Sequence, residues 1–145
     1  MKHIKLYEIV SLVVMISLTI AAGISCSRNT EGQGLAGVTW VLQSYGVPPN
    51  MTQAVADKQT TLVFDDKKMT INGSGGVNGY GGDYKIDRNK ITFSGIIHTM
   101  IAVEGPIMGQ ENAFFKLLSV AESYTIVGKQ LTLTGTEGSL VFTYQ

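Results

Sequence analysis

From residue 38 onward, apolar side chains recur at every second position. Val38, Trp40 and Leu42 share one face of VTWVLQS, and Leu62 and Phe64 share one face of TTLVFDD. KMTI follows after an acidic Asp65–Asp66 turn. DYKID and KITFS flank Arg88–Asn89, which predicts a hairpin turn. A second hairpin is predicted in SYTIVGKQLTLTG, with Tyr124 and Ile126 before a turn near Gly128 and Leu131 and Leu133 after it. Leu140, Phe142 and Tyr144 close the chain in phase. Short alternating runs separated by turn residues predict antiparallel strands in a sheet, sandwich or barrel.

One segment changes period. In MGQENAFFKLLSV, Met108, Phe114, Phe115, Leu118 and Leu117 fall on one face of a helix predicted over 107–120. Gly105–Pro106 opens it, because proline is tolerated in a first helical turn. Glu111 is expected near the start, where the helix dipole favours an acid. The segment 46–58 is expected to be loop around Pro48–Pro49, with at most a turn of helix after Asn50. The result is an α+β fold: a curved, mostly antiparallel sheet, open to barrel-like closure, packed against one main helix. The expected core is Trp40, Leu42, Leu62, Phe64, Ile71, Ile91, Phe93, Phe114, Leu118, Ile126, Leu131, Leu133 and Phe142.

The N-terminal 25 residues follow different rules. Lys2 and Lys5 precede Ile9–Ile24, sixteen residues without a charge. A bilayer-crossing helix needs about 20 apolar residues, so the run fits a secretory signal better than a permanent span. Cys26, the only cysteine of the chain, ends that run in GISCS. This resembles a bacterial lipobox, although Gly23 stands where leucine is usual. The expected organisation is a signal peptide over 1–25, a lipid-anchored flexible tether over 26–34 and one domain over 35–145. An ordinary cleaved signal and an uncleaved anchor are the alternatives. Lipidation of Cys26 would hold the domain to a membrane, since each buried methylene contributes about 0.8 kcal/mol.

Charge adds little. The 145 residues carry 11 basic and 11 acidic side chains. The balance gives no reason to expect nucleic acid, and the aromatic residues are not interleaved with a basic cluster. With no cysteine beyond Cys26, the domain must be held by its core rather than by internal disulfides.

The densest sequence signal is INGSGGVNGYGGDY, residues 71–84, in which six of fourteen residues are glycine. A Walker-type phosphate loop needs Lys-Ser or Lys-Thr after the glycines and a helix beyond. A dinucleotide fingerprint starting at Gly73 would need glycine where Asn78 stands. Neither flank is helical, so the stretch is expected to let two strands turn against each other and to hold no anion. Asn78 is expected to accept left-handed geometry and to bond nearby backbone.

Gly73, Gly75, Val77, Asn78, Tyr80, Gly82 and Tyr84, followed by Thr99, then PIMGQENAFFKLL, QLTLTG and LVFTY, resemble the META domain family, whose HslJ-like members are heat-shock lipoproteins. The resemblance runs from about residue 35 to 144, with motifs in order. Trp40 and Leu42 match the opening strand. Gly76, Asn78, Tyr80, Gly82 and Tyr84 match the central motif, and Thr99, Met108, Glu111 and Phe114 match the approach to the helix. Many members carry cysteine where this chain has Val77 and Val103. If those cysteines pair, the two valines are expected to be neighbours, with an apolar contact replacing a cross-link.

No catalytic constellation emerges. His98 is the only histidine beyond the N-terminal segment and cannot by itself assemble a metal site. Thr99 and Glu111 are expected to act structurally. Asp83 and Asp87, with Lys85 between them in phase, are expected to form a salt-bridged exposed face. No cofactor, metal or nucleic acid is expected. The resemblance implies a non-catalytic lipoprotein of the bacterial envelope, in the outer membrane if the cell is Gram-negative, that binds a protein or envelope component in stress response or envelope integrity. The alternative is a module holding a lipid-like ligand in an apolar pocket under the sheet.

Overall fold

The computed structural model describes residues 34–144. The signal segment, Cys26 and the tether up to residue 33 lie outside the described residues. The strands are β1 (Thr39–Val47), β2 (Asn50–Gln53), β3 (Thr61–Asp65), β4 (Thr70–Ser74), β5 (Gly79–Asp87) and β6 (Lys90–His98). The helix α1 (Pro106–Ser119) follows, and then β7 (Ala121–Val127), β8 (Gln130–Gly135) and β9 (Gly138–Tyr144).

Each strand pairs antiparallel with its neighbours in the order β2-β1-β3-β4-β5-β6-β7-β8-β9. β1 also pairs with β9, so the sheet returns on itself as a ring. One edge of β1 is shared: Thr39–Val41 face β3, and Ser44–Val47 face β2. The ring is thinnest between β6 and β7, joined in register at Lys90↔Ser123. Beyond that point α1 lies beside β6, where the Phe115 ring stacks on His98 at 4.5 Å. A helix alongside a strand edge keeps it from pairing with other chains.

The turns follow from local chemistry. Arg88 and Asn89 join Asp87 to its partner Lys90, with Arg88 at φ 58. Gly128, also at φ 58, sits in the two-residue link between Val127 and Gln130. These left-handed positions give the twist that two-residue hairpins need. Between β3 and β4, Asp65 Oδ1 accepts the Lys67 and Lys68 amides at 3.1 and 3.0 Å.

The ring's interior is filled by side chains. Trp40, Leu62, Ile91, Phe114, Leu118, Leu131 and Phe142 are fully buried. Trp40 meets Tyr144 edge-on at 5.0 Å, and Phe64 meets Tyr84 edge-on at 5.0 Å. Such edge-to-face pairs add roughly 0.5–1.5 kcal/mol beyond area burial. Trp40 Nε1 donates to the Leu35 carbonyl at 2.8 Å, which satisfies the buried indole.

Three expectations change. Residues 46–58 are not simply loop: β1 runs on through Val47, and Asn50–Gln53 pairs back onto it. Pro48 and Pro49 occupy the connection, where a missing N–H costs nothing, and a four-residue strand that is mostly exposed has no alternation to detect. Ile126 is half-buried rather than core, because it lies near the strand end where the chain enters at Gly34. The buried face of α1 is Ile107, Gln110, Glu111, Phe114, Leu117 and Leu118, while Met108 and Phe115 are half-buried.

Candidate functional site

The glycine-rich stretch is the β4–β5 hairpin and its loop. The Gly75 amide donates to the Asn78 carbonyl at 2.7 Å and closes the turn. The next amides point inward. Val77 N–H and Asn78 N–H donate to Glu111 Oε2 at 2.9 and 2.7 Å, and Asn78 Nδ2 donates to Glu111 Oε1 at 2.5 Å. The inward amides of this loop are thus taken by a carboxylate of its own chain, a role the sequence reading did not assign them. Residues 77 and 78 lie 34 and 33 positions from Glu111, so spacing along the chain could not show the encounter.

Asn78 extends the arrangement. Its Oδ1 accepts the Ile101 amide and the Thr99 hydroxyl, both at 2.7 Å, and its Nδ2 also donates to the Ile101 carbonyl at 2.9 Å. Asn78 has no positive φ, contrary to expectation; among non-glycine residues described, Met69 and Arg88 do. Its amide is used across the fold rather than locally. Asn78 and Glu111 are each 2% exposed.

A second set of bonds lies beside the first. Thr60 Oγ1 donates to the Gly75 carbonyl at 2.7 Å and accepts Gln110 Nε2 at 2.9 Å. Gln110 Oε1 accepts the Val55 amide at 2.7 Å. Adjacent helix residues thus tie down the 55–60 segment, the 75–78 loop and, through Asn78, the 99–101 segment. Among the described residues, no buried side-chain nitrogen or oxygen lacks a partner. Buried polar groups left unpaired would each cost about 1–3 kcal/mol.

Steric fit explains two of the glycines. A β-carbon on Gly75 would lie 2.5 Å from Glu111 Oε2, and one on Gly76, at φ +115, would lie 2.6 Å from Ile107 Cδ1. The carboxylate is the end of a flexible side chain, yet three N–H donors fix it, so it cannot move aside freely.

Glu111 sits in the second turn of α1, not the first, and its role is not the expected dipole interaction. Burial pushes its carboxyl up; the Asn78 side-chain and backbone donors, the Val77 amide and the nearby His98 together outweigh this and hold it below the ordinary glutamate value. Burial pushes the Tyr80 phenol up, and its hydroxyl donates to the Thr61 carbonyl at 2.9 Å.

The remaining motif residues are dispersed. Trp40 and Phe114 are core. Tyr80 packs edge-on against Phe114 and Phe115, and Tyr84 against Phe64. Gly82 lies under Ser94 and Ile96 of β6. Val77 and Val103 are both half-buried, on segments joined by the Asn78–Ile101 bonds. Asp83, Lys85 and Asp87 share an exposed face as expected, but the ion pairs among the described residues join Lys68 to Asp65 and Lys116 to Glu137 instead. Gln110 and Thr60 escaped the sequence reading. Gln110 and Glu111 precede Phe114 by four and three positions, which places both on the buried face.

Next to this network the surface is apolar. Ile97, Met100 and Ile101 are 75%, 92% and 57% exposed. A shallow open depression of about 340 Å³ lies beside them, lined by Gly79, Tyr80, Gly81, Ile97, His98 and Thr99. Among the described residues, no group of three or more His, Cys, Asp or Glu side chains could hold a metal ion.

Comparison with known proteins agrees with this architecture. A family model described as the META domain matches residues 33–145. No curated protein matches the chain. A solved protein from Burkholderia xenovorans, determined by NMR, is similar at TM-score 0.67 and 20% identity, covering 77% of this chain and 83% of that one. A second NMR structure gives TM-score 0.60 and 24% identity over 75% and 90% of the two chains. The crystal structure of a DUF4847 family protein from Bacteroides vulgatus gives TM-score 0.56 and 15% identity over 77% and 94%. At these identities the likeness concerns the fold alone.

Proposed function

Because the chain belongs to the META domain family, we propose that it is a non-catalytic envelope lipoprotein whose domain binds a protein or other envelope component through the apolar rim at residues 97–101. The observation that carries this reading is the exposure of Ile97, Met100 and Ile101 on a segment held in place by Asn78 and Thr99. Exposed apolar side chains grouped on an ordered backbone mark interaction surfaces more often than isolated ones do. The domain would be held by lipidated Cys26, on the outer membrane in a Gram-negative cell, and would serve stress response or envelope integrity.

The chemistry of the buried network favours binding over catalysis. Each oxygen of Glu111 is occupied by N–H donors of the protein. General acid–base work needs a carboxyl within reach of a substrate proton, and here the chain itself fills those positions.

A lipid-like ligand is the second reading, and the depression beside Ile97 is what favours it. Small-molecule sites bury about 70–90% of their ligand. A shallow outer depression leaves most of a ligand in water, whereas the ring interior is occupied by Trp40, Phe114 and Phe142.

Photo-crosslinking from position 100 in the native envelope, followed by mass spectrometry, tests the binding reading. A protein adduct lost on Ile97→Ser with Ile101→Ser supports it. A lipid adduct moves the case to the second reading, and no adduct at all removes both. Metabolic labelling with a fatty-acid probe, abolished by Cys26→Ala, tests the anchor.

A further inference from the structure

The Asn78 side chain stands between the buried carboxylate and the exposed rim. On one side it gives its amide hydrogens to Glu111 Oε1 and the Ile101 carbonyl. On the other its Oδ1 receives the Ile101 amide and the Thr99 hydroxyl. The Ile101 N–H can only donate, so the side chain cannot flip end for end without placing its NH₂ against that donor. Its orientation is thus set, and with it the demand on Glu111. All three groups facing the carboxyl are donors: Val77 N–H, Asn78 N–H and Asn78 Nδ2–H. An ionised carboxylate accepts all three. A protonated one loses the charge that strengthens all three bonds, and its proton is confined to the lone-pair position they leave free.

We propose that Glu111 and Asn78 form an ionisation-dependent latch that sets the position of the 99–101 segment, so that neutralising Glu111 frees the apolar rim while the ring stays folded. The latch is a positioning device. Its importance for partner binding rests on the reading of the rim as a binding surface; its existence does not.

The surroundings leave Glu111 as the group that decides. The 75–78 loop carries no titratable side chain. β5 contributes Tyr80, whose hydroxyl is engaged with Thr61. β6 contributes His98, stacked on Phe115, with Nδ1 at 2.8 Å from the Thr99 carbonyl. Glu104 lies exposed at the end of the segment before α1. A charged His98 favours the ionised latch, since it acts on Glu111 in the same direction as the N–H donors. The sign is that of a carboxyl held low: the latch is intact above the ordinary glutamate value and is lost as pH falls through the folded-state value.

Hydrogen exchange at the Ile101 amide tests this, using the full-length chain and protection factors corrected for intrinsic exchange. In Glu111→Gln at neutral pH, Ile101 protection should fall at least tenfold while that of Leu133, in the β8–β9 pairing, is unchanged. In the unmodified chain the same selective fall should follow acidification. If the variant does not fold, the acid titration of the unmodified chain alone decides. Ile101 protection that is independent of pH, or that falls only together with Leu133, overturns the latch. Loss of the Met100 adduct with selective Ile101 behaviour preserved would remove the binding reading and leave the latch standing.

Discussion

The two ends of the ring are held by different forces. Where the chain enters, Trp40 packs on Tyr144 and Phe64 on Tyr84, ring against ring, and the main polar contact is one indole bonded to the Leu35 carbonyl. At the other end Thr60, Asn78, Gln110 and Glu111, all nearly inaccessible, replace apolar packing with directed bonds between four stretches of chain. Apolar burial is non-directional and tolerates small shifts. A hydrogen-bonded network is satisfied wholly or fails at the atom removed. The first end should respond to lost volume and ignore pH; the second should respond to single atoms and to acid.

Trp40→Ala attacks the apolar end and should have the largest effect. Truncating a buried aromatic costs about 3–5 kcal/mol. Thermal unfolding monitored by circular dichroism should show a large fall in Tm, while Ile101 exchange at a temperature where the variant is folded stays protected. A fall confined to Ile101 would contradict the division.

The opposite experiment strengthens the polar end. Val77→Cys with Val103→Cys joins the two segments that Asn78 already links. If the pair oxidises, about 2–4 kcal/mol of stabilisation is expected, read as a rise in Tm reversed by a reductant. Failure to oxidise would show that the two valines are not the neighbours the family resemblance implies.

Gly75→Ala pushes a methyl group toward the fixed carboxylate, 2.5 Å away. Overpacking of this kind costs roughly 1–3 kcal/mol. Gly79→Ala is the control, since its β-carbon would meet nothing nearer than the Gly73 carbonyl at 3.9 Å; relief of glycine's chain entropy should make it neutral or stabilising by at most about 1 kcal/mol. Equal losses in chemical denaturation would mean that Glu111 yields easily and that the loop is not fixed by it.

The smallest effect is expected at the surface. Lys116 and Glu137 form an ion pair at 2.5 Å, but both side chains are substantially exposed. Such pairs contribute about 0–1 kcal/mol. Lys116→Ala should move the denaturation midpoint by little, and less still at high salt; a loss comparable to Gly75→Ala would place part of the network's strength outside the buried set.

The sequence alone determined the parts whose signal is periodic and local. Alternation at Trp40 and Leu42, at Leu131 and Leu133, and at Leu140 and Phe142 specified strands and their inward faces, because each side chain's direction follows from its neighbours along the same strand. Arg88–Asn89 and Gly128 marked turns through backbone preferences that act within two or three residues. The helix was legible around Phe114 and Leu118 for the same reason. What only the tertiary structure decided is which distant polar groups meet. Nothing near Glu111 in the chain says that it will accept the amides of Val77 and Asn78, and nothing near Asn78 says that its amide will be shared between that carboxylate and Ile101. Packing of the helix against the β4–β5 loop carries those residues together, and a hydrogen bond depends on that final distance rather than on separation along the chain.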